Sequence, residues 1–129
     1  MESARSRTKI LVVDDDPLHR GLVRAIFQDD AYEFLEAPDG ATGLAAALSH
    51  IPQLIVVDMR MSCMSGLDFI KKARANANIR HIPIVVSTAN HSAREGLDCL
   101  RAGASAYLPK PLDPDPFRHR IKALLGHAH

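Results

Sequence analysis

The sequence predicts an α/β fold, a (βα)5 doubly wound sheet of five parallel strands. Three observations carry this. Short aliphatic runs rich in β-branched residues recur at 10–13, 54–57 and 82–86, each too brief for a helix. Between them lie longer stretches whose apolar residues fall at helical spacing. The connections are short, so strand and helix alternate and parallel pairing through right-handed crossovers is favoured.

Taken in order, Ile10–Val13 is strand 1, halted by Asp14-Asp15-Asp16-Pro17. Asp16 is a good helix cap and Pro17 a good first helical residue, so helix 1 is expected over 17–28 with Leu18, Leu22, Val23, Ile26 and Phe27 inward. Tyr32–Ala37 alternates loosely and carries two glutamates, which suits an edge strand. Helix 2 follows over Ala41–Ser49, and Leu54–Val57 is an unbroken apolar strand of the kind buried on both faces. Ser65 caps helix 3, with Leu67, Phe69, Ile70 and Ala73 inward and Lys71, Lys72 and Arg74 in water. Ile82–Thr88 is strand 4, with Pro83 near its start where a missing donor is tolerated. Helix 4 spans 92–102 on a thin stripe of Leu97 and Leu100 and stops at Gly103. Ala106–Leu108 is a short strand that Pro109 assigns to an edge, and helix 5 runs from Asp113 to Gly126 with Phe117, Ile121, Leu124 and Leu125 inward. Strands 2 and 5 at the edges give the order 2-1-3-4-5, a flavodoxin-like three-layer sandwich.

Length and composition narrow the function. The 129 residues suit one domain, able to bury roughly two thirds of its unfolded surface. Sixteen Lys+Arg against fifteen Asp+Glu leave a net charge of +1, which gives no electrostatic case for nucleic acid or an anionic membrane. Cys63 and Cys99 lack zinc or CxxC spacing and read as reduced cytoplasmic thiols. None of the seven histidines shows ligand spacing beyond the last residues, and all seven are read as structural or solvent-exposed. Residues 1–8 read as a disordered lead-in rather than a signal peptide, 9–126 as the domain and 127–129 as a frayed tail. No apolar run is long enough to span a bilayer.

Ligands bind at the carboxyl ends of the strands in such a sheet. That edge would gather Asp14 and Asp15 after strand 1, Asp58 after strand 3, Thr88 at the end of strand 4 and Lys110 after strand 5. Carboxylates so close raise one another's pKa unless a cation intervenes, and Mg2+ suits an all-oxygen cluster that also receives phosphate oxygens. The Lys110 ammonium, the Thr88 hydroxyl and the Ala89 backbone N–H match the equatorial oxygens of a phosphoryl group in transfer. Asp58 is the nucleophile this arrangement implies, forming an acyl phosphate. Arg60 and Asn90, two residues beyond Asp58 and Thr88, border the path of an attacking water and are expected to tune how long the phosphoryl group survives.

Val12-Val13-Asp14-Asp15-Asp16, Val57-Asp58 followed by Met61, Met64 and Gly66, Val86-Ser87-Thr88-Ala89, Gly103-Ala104 and Tyr107-Leu108-Pro109-Lys110-Pro111 together resemble a bacterial two-component response regulator receiver domain. The resemblance covers about residues 9–125 and implies specific roles. Asp58 matches the phosphoacceptor, Asp15 a direct magnesium ligand, Asp14 its acidic neighbour and the Arg60 carbonyl a backbone ligand. Thr88 and Tyr107 match the switch pair, Lys110 the phosphoryl-binding lysine, and the Lys110–Pro111 peptide a cis bond. The family usually has a proline after Met61, where this chain has Ser62.

The function implied is a phosphoacceptor signalling switch of a phosphorelay, charged by a histidine kinase or phosphotransfer protein, acting through the helix 4, strand 5 and helix 5 surface. Beyond its own phosphoryl transfer and slow dephosphorylation it would not be an enzyme, and phosphorylation-dependent homodimerisation is compatible with the family. Two alternatives compete. Asp14-x-Asp16 superficially resembles the nucleophile motif of haloacid-dehalogenase-type phosphatases, although Pro17 and Leu18 depart from it and the chain is too short for a substrate cap. A degenerate receiver that only binds partners is opposed by the intact acidic cluster and lysine. Neither the output domain or target nor the cognate kinase is legible.

Overall fold

The computed structural model describes residues 7–28 and 31–126. The elements are β1 (Thr8–Val13), α1 (Pro17–Ile26), β2 (Tyr32–Ala37), α2 (Gly40–His50), β3 (Leu54–Asp58), α3 (Gly66–Arg74), β4 (Ile84–Thr88), α4 (Ala93–Ala102), β5 (Ala106–Pro109) and α5 (Pro114–Leu125). The expected lead-in at residues 1–6 and the frayed tail at 127–129 lie outside the described residues. Thr8, assigned to that lead-in, is instead the first residue of β1, where its amide donates to the Ala31 carbonyl at 2.9 Å.

All pairings are parallel and the sheet order is β2-β1-β3-β4-β5. Alternate strand residues face opposite layers. Leu11, Val13, Ile55, Val57, Ile84 and Val86 join Ala47, Phe69, Ala73 and Cys99 from α2, α3 and α4 in one core. Ile10, Val12, Leu54, Val56 and Val85 join Val23, Ile26, Phe117 and Ile121 from α1 and α5 in the other. Every residue of β3 and β4 is buried, so both ends of the central strands are held in place by core on two sides.

Several helix faces differ from the sequence reading. In α1 Leu18 is 83% exposed and Leu22 40%, while His19, Val23 and Ile26 are buried; the inward stripe starts one residue later than the apolar pattern suggests because a histidine occupies its first position. The helix also ends at Ile26, two residues before the expected stop. In α4 the buried residues are Gly96 and Cys99, and Leu97 and Leu100 are about half exposed. The Tyr107 ring lies so close to Gly96 that a Cβ there would fall 2.8 Å from Tyr107 Cδ2. Close helix–sheet packing therefore selects small residues, not leucines, for this face. β4 begins at Ile84, since Pro83 has no amide to donate, although its carbonyl accepts from Ile55 at 3.0 Å.

The α2 C-cap is Ile51 with φ 46°, a left-handed conformation that is costly for a β-branched residue and favourable for glycine. Ile51→Gly is expected to raise stability by roughly 0.5–1 kcal/mol after the unfolded-state entropy of glycine is counted. Urea unfolding checks this, and a lower midpoint for the variant would contradict it.

Candidate functional site

The register sets Asp58 beside Ser87 and Thr88 beside Pro109, which aligns the carboxyl ends of β3, β4 and β5. Asp14 is 1% exposed and Asp58 5%, whereas Asp15 is exposed. Oxygens of these three carboxylates lie within 4.8 Å of one another. Lys110 Nζ approaches Asp14 Oδ2 at 3.1 Å and Asp58 Oδ1 at 3.2 Å. The Lys110–Pro111 peptide is cis, and the Lys110 amide donates to the Thr88 carbonyl at 2.7 Å. The loop after Asp58 folds back tightly: the Gly66 amide donates to the Met59 carbonyl at 2.9 Å, and a Cβ on Gly66 would meet the Asp58 carbonyl oxygen at 2.9 Å.

Burial raises the pKa of Asp58, the Asp14 charge adds to this, and Lys110 and the Arg60 amide oppose it. Burial also disfavours ionised Asp14, but His19, the Asp16 amide and Lys110 outweigh it, so its pKa is lowered. Lys110 shows the same competition: burial disfavours its charge, and the two carboxylates overcome that and raise its pKa. The site is thus two buried carboxylates of unequal character bridged by one ammonium.

On the side facing α4, Thr88 is fully buried and its hydroxyl accepts from the Asn90 amide at 3.2 Å. Ala89 and Asn90 follow in an exposed loop. The Tyr107 hydroxyl donates to Glu95 Oε1 at 2.7 Å, and Arg60 Nη2 pairs with Glu95 Oε2 at 2.7 Å. Two neighbours escaped the sequence reading. His19 Nδ1 lies 2.7 Å from Asp14 Oδ2, although the ring makes no aligned hydrogen bond. A position three residues into α1 on its buried face could have marked it. Glu95 carries no such signal, because its role depends on two residues distant in sequence. Asp16 accepts from the Leu18 amide at 2.9 Å as the α1 cap and is not one of the three clustered carboxylates.

Oxygen-only donors, one of them open to solvent, fit a hard dication better than a softer metal. The cluster and its lysine sit at the carboxyl edge of a 2-1-3-4-5 sheet, the place where doubly wound α/β proteins bind their ligands. The chain belongs to the response regulator receiver domain family, whose model matches residues 10–122. The response regulator PleD of Caulobacter vibrioides is 35% identical over 116 residues, 90% of this chain. This chain spans only 26% of PleD's length. The polar-differentiation response regulator DivK of Brucella ovis is 30% identical over 119 residues, covering 92% of this chain and 97% of DivK. Among solved structures, the receiver domain of the sensor histidine kinase PA1611 from Pseudomonas aeruginosa PAO1 superposes with a TM-score of 0.84 at 26% identity, covering 94% of this chain and 99% of that one. That structure has a magnesium ion coordinated in its active-site cleft. The protein is a receiver domain, and the phosphohydrolase alternative is not favoured.

Proposed function

We propose that Asp58 is the phosphoacceptor of this receiver, charged in a magnesium-dependent reaction from the phosphohistidine of a histidine kinase or phosphotransfer protein. The observation that carries the assignment is the contact of Lys110 with Asp58 beside a second buried acid, Asp14. An Asp58 oxygen attacks phosphorus, the P–N bond breaks, and the departing imidazole takes up a proton. Asp14, Asp15, Asp58 and the Arg60 carbonyl would hold Mg2+, which supplies charge neutralisation for the carboxylates and the transferring group. Lys110, the Thr88 hydroxyl and the Ala89 amide bind the phosphoryl oxygens. Thr88 and Tyr107 then carry the change to the α4, β5 and α5 surface, where an output partner or a second copy of the chain would dock. The domain spans residues 8–126, opening with Thr8 of β1, and acts in the cytoplasm; among the described residues no helix is long and apolar enough to cross a membrane.

Magnesium at ten times its dissociation constant should stabilise the fold by about 1.4 kcal/mol through binding only the native state. Thermal unfolding with and without Mg2+ checks this. The same shift in Asp15→Asn would remove Asp15 from the ligand set.

The lifetime assignments of Arg60 and Asn90 belong to the same proposal. A long side chain across the approach opposite the aspartyl oxygen excludes water, so Arg60→Ala should shorten the life of the phosphoprotein roughly fivefold, the effect of about 1 kcal/mol on the barrier. Phosphate release at saturating magnesium measures it, and an equal or slower rate would reject occlusion.

A further inference from the structure

Glu95 occupies the third position of α4, and with Ser92 it forms the S-x-x-E pattern in which the glutamate turns back to the amide of the capping serine. Only half of that arrangement is present. The Ser92 hydroxyl accepts from the Glu95 amide at 3.3 Å, but the Ser92 amide donates to the Tyr107 hydroxyl oxygen, also at 3.3 Å. Glu95 is left to serve elsewhere. Its carboxylate takes Arg60 on one oxygen and Tyr107 on the other, each at 2.7 Å, with its side chain only 15% exposed. One acid therefore joins the residue two beyond Asp58 to the aromatic ring on β5.

We propose that Glu95 is a positioning residue for the phosphoryl chemistry: it holds the Arg60 guanidinium away from the phosphoryl group and Tyr107 in its unphosphorylated place, and releases both together. The inference rests on Asp58 as phosphoacceptor. A phosphoryl group there brings up to two negative charges and three strong acceptors within reach of Arg60. The guanidinium fork matches such an oxyanion well, while its pair with Glu95 is easily exchanged because the Arg60 side chain is 58% exposed. Contacts made only in the unphosphorylated arrangement oppose the phosphorylated one by their own free energy. Loss of Glu95 should accordingly favour the phosphorylated state without costing the helix its serine cap.

Beryllofluoride with magnesium, a phosphoryl mimic, tests this in the full chain by titration. Glu95→Ala should bind it at least about fivefold tighter than the parent, within the ordinary range of coupling between sites. In an Arg60→Ala background the gain from Glu95→Ala should shrink markedly, because only the Tyr107 contact remains to be lost. Glu95→Gln keeps an acceptor for Tyr107 and loses the charge facing Arg60, so it should show an intermediate gain, and it carries the test should the alanine variant fold poorly by urea unfolding. Unchanged or weaker binding in both Glu95 variants, or an equal gain with and without Arg60, would overturn the proposal. Failure of the parent to bind, or equal binding by Asp58→Asn, would overturn the phosphoacceptor reading and this inference with it.

Discussion

Asp58→Asn is expected to abolish phosphoryl uptake while making the metal-free protein more stable. The first effect should be a loss of at least about 10³-fold, because removing a covalent nucleophile removes the pathway rather than one of its stabilising contacts. The second follows from the raised pKa of Asp58, which burial and then the Asp14 charge produce. A raised pKa means that the native state prefers the neutral acid, so its contribution to stability is present at low pH and is lost as pH rises through the folded-state value. At neutral pH the charged carboxylate is a cost that an isosteric amide removes. The advantage of Asp58→Asn should fade toward acid pH, where the parent carboxyl is protonated too. Magnesium should narrow or reverse the order, since the variant lacks one ligand. Urea unfolding at two pH values, with and without magnesium, reads the stability effects, and a metal-free variant less stable than the parent at pH 7 would contradict them.

Arg74→Ala should cost about 3 kcal/mol, a large part of the stability of a domain this size. Its Nε and Nη2 donate to the Gly103 carbonyl at 3.1 and 2.8 Å, and Nη1 donates to the Arg80 and Ile82 carbonyls at 2.9 and 2.7 Å. The end of α3, the turn before β4 and the left-handed Gly103 cap of α4 are thereby tied by one guanidinium. Lysine has a single ammonium and cannot reproduce that fork, so Arg74→Lys should recover little of the loss. Denaturant midpoints measure both variants, and a change below about 1 kcal/mol in Arg74→Ala would show that water replaces these bonds freely.

Arg74 also shows where sequence reading stops. Lys71, Lys72 and Arg74 look alike as a solvated basic helix end, and the first two are exposed. What separates Arg74 is the position of three carbonyls contributed by residues up to 29 places away. The strand order was legible because it rests on local signals: unbroken apolar runs for the central strands, glutamates in β2 and Pro109 in β5 for the edges. The placement of Asp14, Asp58, Thr88 and Lys110 at one edge followed from that order. Helix faces were less legible wherever packing is close. Leu97 and Leu100 form the only apolar stripe visible in α4, yet the sheet comes too near for leucine and accepts Gly96 and Cys99. Leu18 and His19 exchange roles in α1 for a related reason, since the face nearest the acidic edge takes a polar ring beside Asp14. Glu95 was hidden altogether, because the serine three residues before it suggests an ordinary cap.

Asp58 alone is expected to accept one phosphoryl group, and to need a dication to do so. Intact mass of the full chain after incubation with acetyl phosphate, with magnesium or with a chelator, tests it most directly when followed by borohydride reduction and peptide mapping. The expected result is a gain of one phosphoryl group per chain in magnesium only, with the reduced residue at position 58. Uptake undiminished by the chelator, or a label mapped to any other residue, would contradict it.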